Sequence, residues 1–434
     1  MEREKITGEV EISSKRAAQI QKTVENIAGL GKEIEKLIGA SATELLETVL
    51  AGALYLGASD VHLEPEEEKA KLRLRIDGIL QDAKLFDLKT YNMLLSRVKL
   101  LSGIKLNITT RPQDGRFTIL VENTAIEIRI STLPSERGET AVLRLLNPKN
   151  LIEIEALGLR KDIEEIFKKE IKKPNGMIVV TGPTGSGKTT TLYAVLKRIN
   201  KPEIKIITIE DPVEYHLEGL SQTQVDPSRG YTFANGLRSI MRQDPDVILV
   251  GEIRDKETAE IALQAALTGH LVFSTLHTND SSGAVARLID LGVRPVSIAP
   301  SINMVVAQRL PRKVCQKCAE FVSPSKENLE KIKKGLAKVK KEILPKAFFA
   351  KYFKIPQAKG CSECNNTGYR GRIGIYETFL VDDQMERFIL KSPSIVDMRD
   401  LAIKKGMVLM HQDGLIKVLE GITTIEEVER VTGE

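Results

Sequence analysis

The segment GPTGSGKT at residues 182–189 constrains this chain more than any other feature. It matches the pattern G-x-x-x-x-G-K-[S/T], follows the apolar residues 177–180 and precedes a helical pattern, as a phosphate-binding loop requires. Its glycines let backbone N–H groups wrap phosphates at a helix N-terminus, with a lysine ammonium on the β and γ phosphates and a hydroxyl on Mg²⁺. An ordinary glycine-rich turn is the alternative. The predicted nucleotide-binding residues are Gly182, Thr184, Gly185, Ser186, Gly187, Lys188, Thr189 and Thr190.

Four near-continuous apolar runs lie along this part of the chain, one before the loop and three after it. They are residues 177–180, 204–209, 247–250 and 271–273. Strands that are apolar on both faces are typical of a parallel sheet covered by helices. The 434 residues correspond to roughly three domains. A hydrophobic fraction of 42% and a charged fraction of 28% exclude collagen and wholesale disorder. We therefore expect an α/β fold.

Acidic residues follow two of these runs. Glu252 comes shortly after residues 247–250, and Glu210 directly follows residues 204–209. Ligands of open α/β sheets bind beyond the carboxyl ends of the strands. We therefore predict Glu252 as the Mg²⁺-side acid and water activator, with Glu210 as the second choice. An N-cap or an ion pair is the alternative for either. Asp246 precedes its strand and should lie at the opposite edge.

The same geometry distinguishes the two histidines that flank residues 271–276. It places His277, and not His270, at the phosphate edge, where an imidazole can hydrogen-bond the γ-phosphate. A buried, hydrogen-bonded structural imidazole is the alternative.

Four cysteines form two C-x-x-C pairs, and none is left over. This number predicts a metal site in a reducing compartment, and four thiolates suit a closed, structural Zn²⁺ site. Two unrelated reduced pairs are the alternative. The ligands are Cys315, Cys318, Cys361 and Cys364.

The insertion between Cys318 and Cys361 holds eleven Lys and four Glu, a charge of +7, so the remainder of the +5 chain carries −2. This remainder has no general anion-binding character. Within the insertion, residues 346–354 interleave lysines with aromatic rings. They could lie on anionic lipid or on a partner. We favour the simpler interpretation that the rings pack on the zinc module and the lysines are solvated.

The N-terminal part divides by pattern. Residues 1–40 are predicted to be a charged helical segment, residues 41–147 a small α/β domain with Ser41 as a helix N-cap, and residues 148–158 a linker. Residues 159–310 form the loop-bearing core, residues 311–380 the cysteine module, and residues 381–434 a helical tail. In the small domain, Arg116 and Arg129 become candidates for reaching ATP. The start of the chain has no signal-like apolar stretch, and no run is long enough to span a bilayer.

Several segments resemble the secretion ATPase superfamily of type II secretion and type IV pili. Four of them are similar to its Walker A, Asp box, Walker B and His box: residues 182–191, 209–214, 242–255 and 268–280. Residues 57–65 and 111–116 resemble its second N-terminal domain. The resemblance extends from about residue 41 to the C-terminus. The four cysteines are similar to those of assembly or secretion ATPases rather than retraction ATPases.

The resemblance implies a RecA-like domain and a homo-hexameric ATPase that closes two domains over ATP and Mg²⁺. It implies ATP and Mg²⁺ binding by Lys188, Thr189 and Glu252, and cleft-spanning roles for Arg116 and Arg129. It also implies an inner-membrane platform protein as partner. Family members usually carry a further N-terminal domain, and about 40 residues precede the matching region here.

From these features we expect a cytoplasmic protein that is peripheral at the inner face of the cytoplasmic membrane through its partners, with no nucleic acid as partner. A nucleic-acid translocase and a non-hydrolysing scaffold are the competing hypotheses. The charge of −2 outside the insertion argues against the translocase.

Overall fold

The computed structural model describes residues 8–39 and 41–433. These residues form two compact units. The first contains the chain up to Asn150 together with two short stretches, Cys315–Ala319 and Ala358–Arg370. The second contains Leu151–Val314, Glu320–Gln357 and the chain from Gly371 onward.

The first unit is a seven-stranded sheet with four helices. Its strands pair in the order β1-β5-β6-β7-β2-β3-β4, and every pair is antiparallel except β1 with β5. The elements are β1 (Glu9–Ile12), α1 (Ser14–Thr23), α2 (Ile27–Glu35), α3 (Ala42–Tyr55), β2 (Ala58–Pro65), β3 (Lys69–Ile76), β4 (Ile79–Asp87), α4 (Leu88–Leu101), β5 (Gln113–Val121), β6 (Thr124–Ser135) and β7 (Gly138–Leu146).

Alternating sequence explains the half-buried sheet. In β3 every second residue is buried, including Leu72 and Leu74, while the residues between them are partly exposed. This alternation is what a strand with one covered face requires. Helix α3 covers the sheet and begins where expected, because the Ser41 hydroxyl accepts the amide N–H of Glu44 at 3.4 Å.

From the sequence, the N-terminal segment is predicted to be helical and separate from the small domain. The structure shows a strand in it as well, and places the segment in the same unit. Residues 1–7 and 40 lie outside the described residues, but residues 9–12 form strand β1 and extend the sheet beside β5. Val10 and Ile12 are buried in the same core as the rest of the unit. The segment joins the domain because its alternating apolar residues complete the covered face.

The second unit is built on another seven-stranded sheet, flanked by helices. Its elements are α5 (Lys161–Glu170), β8 (Gly176–Thr181), α6 (Lys188–Ile199), β9 (Ile206–Glu210), β10 (Ser221–Gln224), α7 (Phe233–Ile240), β11 (Val247–Val250), α8 (Lys256–Leu267), β12 (Leu271–Leu276), α9 (Ser282–Asp290), α10 (Pro295–Ile298), β13 (Ile302–Arg309), β14 (Arg312–Val314), β15 (Glu320–Val322), α11 (Lys326–Leu336), β16 (Ile355–Gln357), β17 (Tyr369–Arg372), β18 (Ile375–Leu380), α12 (Asp383–Ile389), α13 (Ile395–Lys404), α14 (Met410–Leu419) and α15 (Ile425–Thr432).

This second sheet has the order β10-β9-β11-β12-β8-β13-β18, and all pairs are parallel except β13 with β18. Strands β8, β9, β11 and β12 are buried at every residue, as expected for their mostly apolar sequences in a sheet covered on both faces. The predicted α/β class with a parallel sheet is confirmed. Within the described residues, no helix combines the length and apolarity needed to cross a bilayer.

The predicted cysteine module of residues 311–380 is not one body. Strand β18 is an edge strand of the parallel sheet, because its buried Tyr376 and Phe379 complete the apolar cores there. The lysine-rich insertion does not simply hang from the cysteines. Ile332 and Leu336 of α11 pack with Leu415 of α14 in a separate apolar cluster.

The aromatic residues of the insertion divide between core and solvent. Phe348 and Phe353 pack against this same cluster rather than on the cysteines. Phe349 and Tyr352 are exposed, at 56% and 83%. The expectation that the rings pack on the zinc module is therefore wrong: two rings pack on this separate cluster and two are exposed.

Strand β1 provides a stability test. Replacing Ile12 by Ala should cost about 2–5 kcal/mol, because it removes buried methyl groups and leaves a cavity. Hydrogen exchange of the β5 amides should accelerate, since β1 pairs with that strand. The matched control is Glu11→Ala, on the exposed face of the same strand, which should change little. Equal exchange in both variants would show that β1 does not support the sheet.

Candidate functional site

In the parallel sheet of the second unit, the carboxyl ends of four strands lie side by side. We call this line of strand ends the carboxyl edge of the sheet, and the line of strand beginnings the opposite edge. Glu210 ends β9, Glu252 lies two residues beyond β11, and His277 follows β12 directly. Strand β8 lies next to β12, with Thr181 opposite Leu276, and leads into the glycine-rich loop. Three of the predicted chemical groups therefore share the edge that holds this loop.

The glycine-rich loop has the backbone that the motif requires. Gly185 and Gly187 have φ angles of 79° and 88°, in the left-handed region that favours glycine. A Cβ on Gly182 would lie 2.5 Å from the Ser186 hydroxyl. Thr184 and Gly185 are exposed on the loop, whereas Ser186 is buried.

Helix α6 begins at the end of the loop. Lys188 is its first residue, and Thr189 and Thr190 lie in the first turn, partly exposed. Backbone N–H groups of this turn can donate hydrogen bonds to an anion. The positive end of the helix dipole lies at the same place. The loop and the start of the helix together fit a bound phosphate chain.

Lys188 is held toward the loop. Its ammonium donates to the carbonyl oxygens of Gly182 and Pro183, at 2.8 and 3.2 Å. Burial lowers the pKa of this lysine, an effect that Glu252 opposes and Arg309 reinforces. The cation thus lies within electrostatic reach of the acidic group after β11.

Glu252 and His277 form a contact pair beside this lysine. The Glu252 carboxylate lies 3.4 Å from Nε2 of His277 and 2.5 Å from the Arg254 guanidinium. Burial, followed by the charge of Lys188, lowers the pKa of His277, while Glu252 opposes the shift. This shift favours the neutral imidazole, which has a single N–H; that N–H can be donated to the Glu252 carboxylate or to a phosphate oxygen, but not to both.

Glu210 has a different environment. It is buried, and its oxygens accept from the hydroxyls of Tyr193 and Thr208, both at 2.5 Å, and from the Gln222 amide at 3.4 Å. Burial raises the pKa of Glu210, and these hydrogen bonds oppose the rise. A carboxyl with its oxygens engaged is better suited to orienting strand β9 than to activating water.

Asp246 and His270, which the sequence places at the opposite edge of the sheet, lie there in the structure. Asp246 accepts the amide N–H of Lys205 at 2.7 Å, beside the beginnings of β9 and β11. His270 precedes β12, and its Nδ1 lies 3.0 Å from the carbonyl of Ala265. Both are therefore far from the loop, as their positions in the sequence indicated.

Sequence reasoning missed two residues at the end of β13. The buried Gln308 donates to the Ser186 carbonyl at 2.6 Å and accepts from the Thr191 hydroxyl at 2.8 Å. Arg309 donates to the carbonyl of Asn279 at 2.8 Å, in the segment that follows His277. Polar residues at the carboxyl end of the apolar run 304–307 were the available signal.

In the first unit, the two predicted arginines are cross-strand partners. Arg116 on β5 is opposite Arg129 on β6, which is opposite Arg144 on β7. Like charges placed opposite each other are unfavourable. Carboxylates offset this row: Glu127 lies 2.8 Å from Arg129, and Asp60 lies 3.0 Å from Arg144. The pairing makes Arg144 a third member that sequence reasoning did not identify.

The four cysteines also converge within the first unit, as free thiols. Their sulfurs all lie within 4.8 Å of one another, and neighbouring pairs are 3.7–3.9 Å apart. Four sulfurs at about 2.3 Å from one zinc ion would be about 3.8 Å apart. Backbone N–H groups of Cys361 and Gly368 also point at the Cys364 sulfur. The geometry therefore fits a tetrahedral metal.

A glycine-rich loop on β8, acidic and imidazole groups on neighbouring strands and a mostly parallel sheet define a P-loop nucleotide-binding protein of RecA-like fold. The family model of the type II/IV secretion system proteins matches residues 38–430. The chain belongs to this family. The resemblance to the secretion ATPase superfamily is thereby confirmed.

Two relatives illustrate the match. The type II secretion system ATPase E of Vibrio cholerae is 45% identical over 91% of this chain and 76% of its own length. The type IV pilus assembly ATPase PilB of Thermus thermophilus is 43% identical over 90% of this chain. The chain spans only 43% of that relative's length.

Two solved structures have a similar fold. The pilus retraction motor PilT with bound ADP has a TM-score of 0.58 and 26% identity, over 89% of this chain and 96% of that one. The ATPase DotB of Legionella pneumophila has a TM-score of 0.63 and 21% identity, over 89% and 95% of the two chains. The latter supports the fold alone.

Proposed function

We propose that this chain is an ATP-hydrolysing motor that drives type IV pilus assembly or type II protein secretion. The observation that carries this proposal is the convergence of Lys188, Glu252 and His277 at the carboxyl edge of a parallel sheet. In this mechanism, Lys188 and the first turn of α6 hold the β and γ phosphates. The Thr189 hydroxyl and Glu252 would hold Mg²⁺, which would neutralise charge on the phosphates.

Glu252 is proposed to accept the proton of the attacking water, while His277 donates its N–H to the γ-phosphate. Glu210 is the weaker candidate for the base, because its oxygens are already engaged by three side chains.

Substitutions at Lys188 and Glu252 test the hydrolytic mechanism. Lys188→Ala should lower ATP turnover by about 100-fold or more, since it removes a preorganised cation from the developing charge. Glu252→Gln should retain nucleotide binding and lose hydrolysis, because an amide cannot accept the proton. Phosphate release and binding of a fluorescent ATP analogue measure the two properties.

Glu210→Gln is the comparison variant for this experiment. If it is inactive in hydrolysis while Glu252→Gln is active, the two carboxyls have the opposite roles. Wild-type turnover by Lys188→Ala would overturn the assignment of the loop. Measurable turnover by the wild-type chain excludes the non-hydrolysing scaffold. DNA-stimulated turnover with a steep salt dependence would instead support the nucleic-acid translocase.

Arg116 and Arg129 are proposed to contact the γ-phosphate of ATP and so couple domain closure to nucleotide occupancy. Their positions opposite each other on the paired strands β5 and β6 support this, because one anion can be bound by both guanidinium groups.

Alanine at either arginine should lower turnover by up to about 10³-fold, as for an arginine finger, with a much smaller loss of nucleotide affinity. Lysine should not restore the rate, since it lacks the planar fork. The exposed Arg137 provides the control variant Arg137→Ala. Equal losses in this control, or full turnover in both test variants, would refute the proposed role.

The cysteine cluster is proposed to hold one structural Zn²⁺ ion. We expect about one zinc per chain by elemental analysis, since four thiolates complete a tetrahedral site. Cys361→Ser should lose the metal and become protease-sensitive near residues 315–319 and 358–370. The glycine-rich loop should still bind nucleotide. Metal-free wild-type protein with unchanged protease resistance would contradict the assignment.

The partners follow from the same family. We propose a homo-hexamer that acts on an inner-membrane platform protein from the cytoplasmic side. Membrane association would then be peripheral and pass through partners. The curated relatives include both pilus assembly and secretion ATPases, so the choice between these two systems depends on which filament subunit the machine moves.

A further inference from the structure

The second unit has a cavity at the edge of its sheet opposite the glycine-rich loop. The cavity has a volume of about 730 Å³ and is lined where β11 and β12 begin and where α5 and α6 end. Such a volume is typical of ligand sites. The proposed function assigns nothing to this edge.

The cavity combines an apolar floor with a basic rim. Ile199, Val247 and Leu271 contribute to the floor. Five cationic side chains and one acid, Asp246, also line it; the cationic residues are Lys168, Lys172, Lys173, Arg198 and Lys201. The lining therefore favours a ligand that is both acidic and apolar.

Three of the cations are not neutralised locally. Lys168 pairs with Glu164 and Lys173 pairs with Glu170. By contrast, Lys172, Arg198 and Lys201 are exposed and form no ion pair within residues 8–39 and 41–433. Cations near a helix C-terminus interact favourably with the helix dipole, but this interaction is weak at exposed sites. These side chains can therefore still bind carboxylates.

A second cavity adjoins the first. The adjoining cavity, of about 750 Å³, shares Lys201 and Ile204 with the first and extends toward Leu217 and Gly219. Two adjoining cavities accommodate an extended chain better than a compact anion, and Glu203 and Glu218, which line the second, confine the carboxylate-binding part to the first. A chain with alternating carboxylates and apolar side chains can place the two kinds of group on the rim and on the floor.

We propose that these two cavities form a docking site for an acidic segment of a partner protein that carries apolar anchor residues. The basic rim recognises the carboxylates and the apolar floor takes one or two anchor side chains. The interaction should be salt-dependent, because the cations that carry it are exposed.

A random copolymer of glutamate and tyrosine in a 4:1 ratio is a suitable probe, since it supplies both groups. Binding to the full-length chain is measured by fluorescence anisotropy, without ATP turnover, so that its outcome is independent of the proposed function. The double variant Lys172→Glu with Lys201→Glu should weaken binding by about tenfold or more. Polyglutamate without tyrosine should bind clearly less tightly than the copolymer.

The matched control is Lys333→Glu with Lys334→Glu. These are two exposed lysines of α11 that also lack an ion pair among the described residues. An equal loss in this control would show a general charge effect and overturn the proposal. So would equal binding of polyglutamate and the copolymer, or no copolymer binding at all. Binding of vesicles with anionic phospholipid that depends on Lys172 and Lys201, without copolymer binding, would identify a lipid site instead.

Discussion

The parallel pairing of strands β9, β11, β12 and β8 is the constraint on which the candidate site depends. Parallel strands end at the same edge, so side chains separated by many residues in sequence meet there without long loops. Glu252 and His277 come into contact in this way, beside the lysine of the glycine-rich loop. The same constraint puts Asp246 and His270 at the far edge, where they cannot reach the phosphates. Strand direction, more than residue type, separates the candidate groups from the other acids and imidazoles.

The first unit contains a row of three arginines on neighbouring strands. Antiparallel register places Arg116, Arg129 and Arg144 side by side, although neighbouring like charges repel. The buried Asp60 compensates at one end, since it lies near both Arg144 and Arg75. A row of cations held at fixed spacing by a sheet is preorganised for a polyanion, because little side-chain freedom remains to be lost on binding.

Much of this could be predicted from the sequence, and the failures have common physical causes. The apolar strands, the glycine-rich loop and the cysteine pairs are local patterns, and each lies where it was expected. Strand β1 was missed because four residues acquire strand structure only by pairing with β5, about a hundred residues later. Gln308 and the third arginine of the row, Arg144, were missed for the same reason. Their significance lies in register between strands, which hydrophobic periodicity does not encode.

Helix α6 connects the two edges of the second sheet. Its first residue is Lys188, and its last residues, Arg198 and Ile199, line the cavity at the opposite edge. Twelve residues of helix span about 18 Å as a nearly rigid rod. Its buried face, which includes Leu192 and Leu196, is packed tightly in the core, so its two ends cannot shift independently. A segment docked at one end can therefore influence a phosphate chain bound at the other only by displacing the whole helix. By linkage, any effect of the partner on nucleotide affinity must equal the effect of nucleotide on partner affinity.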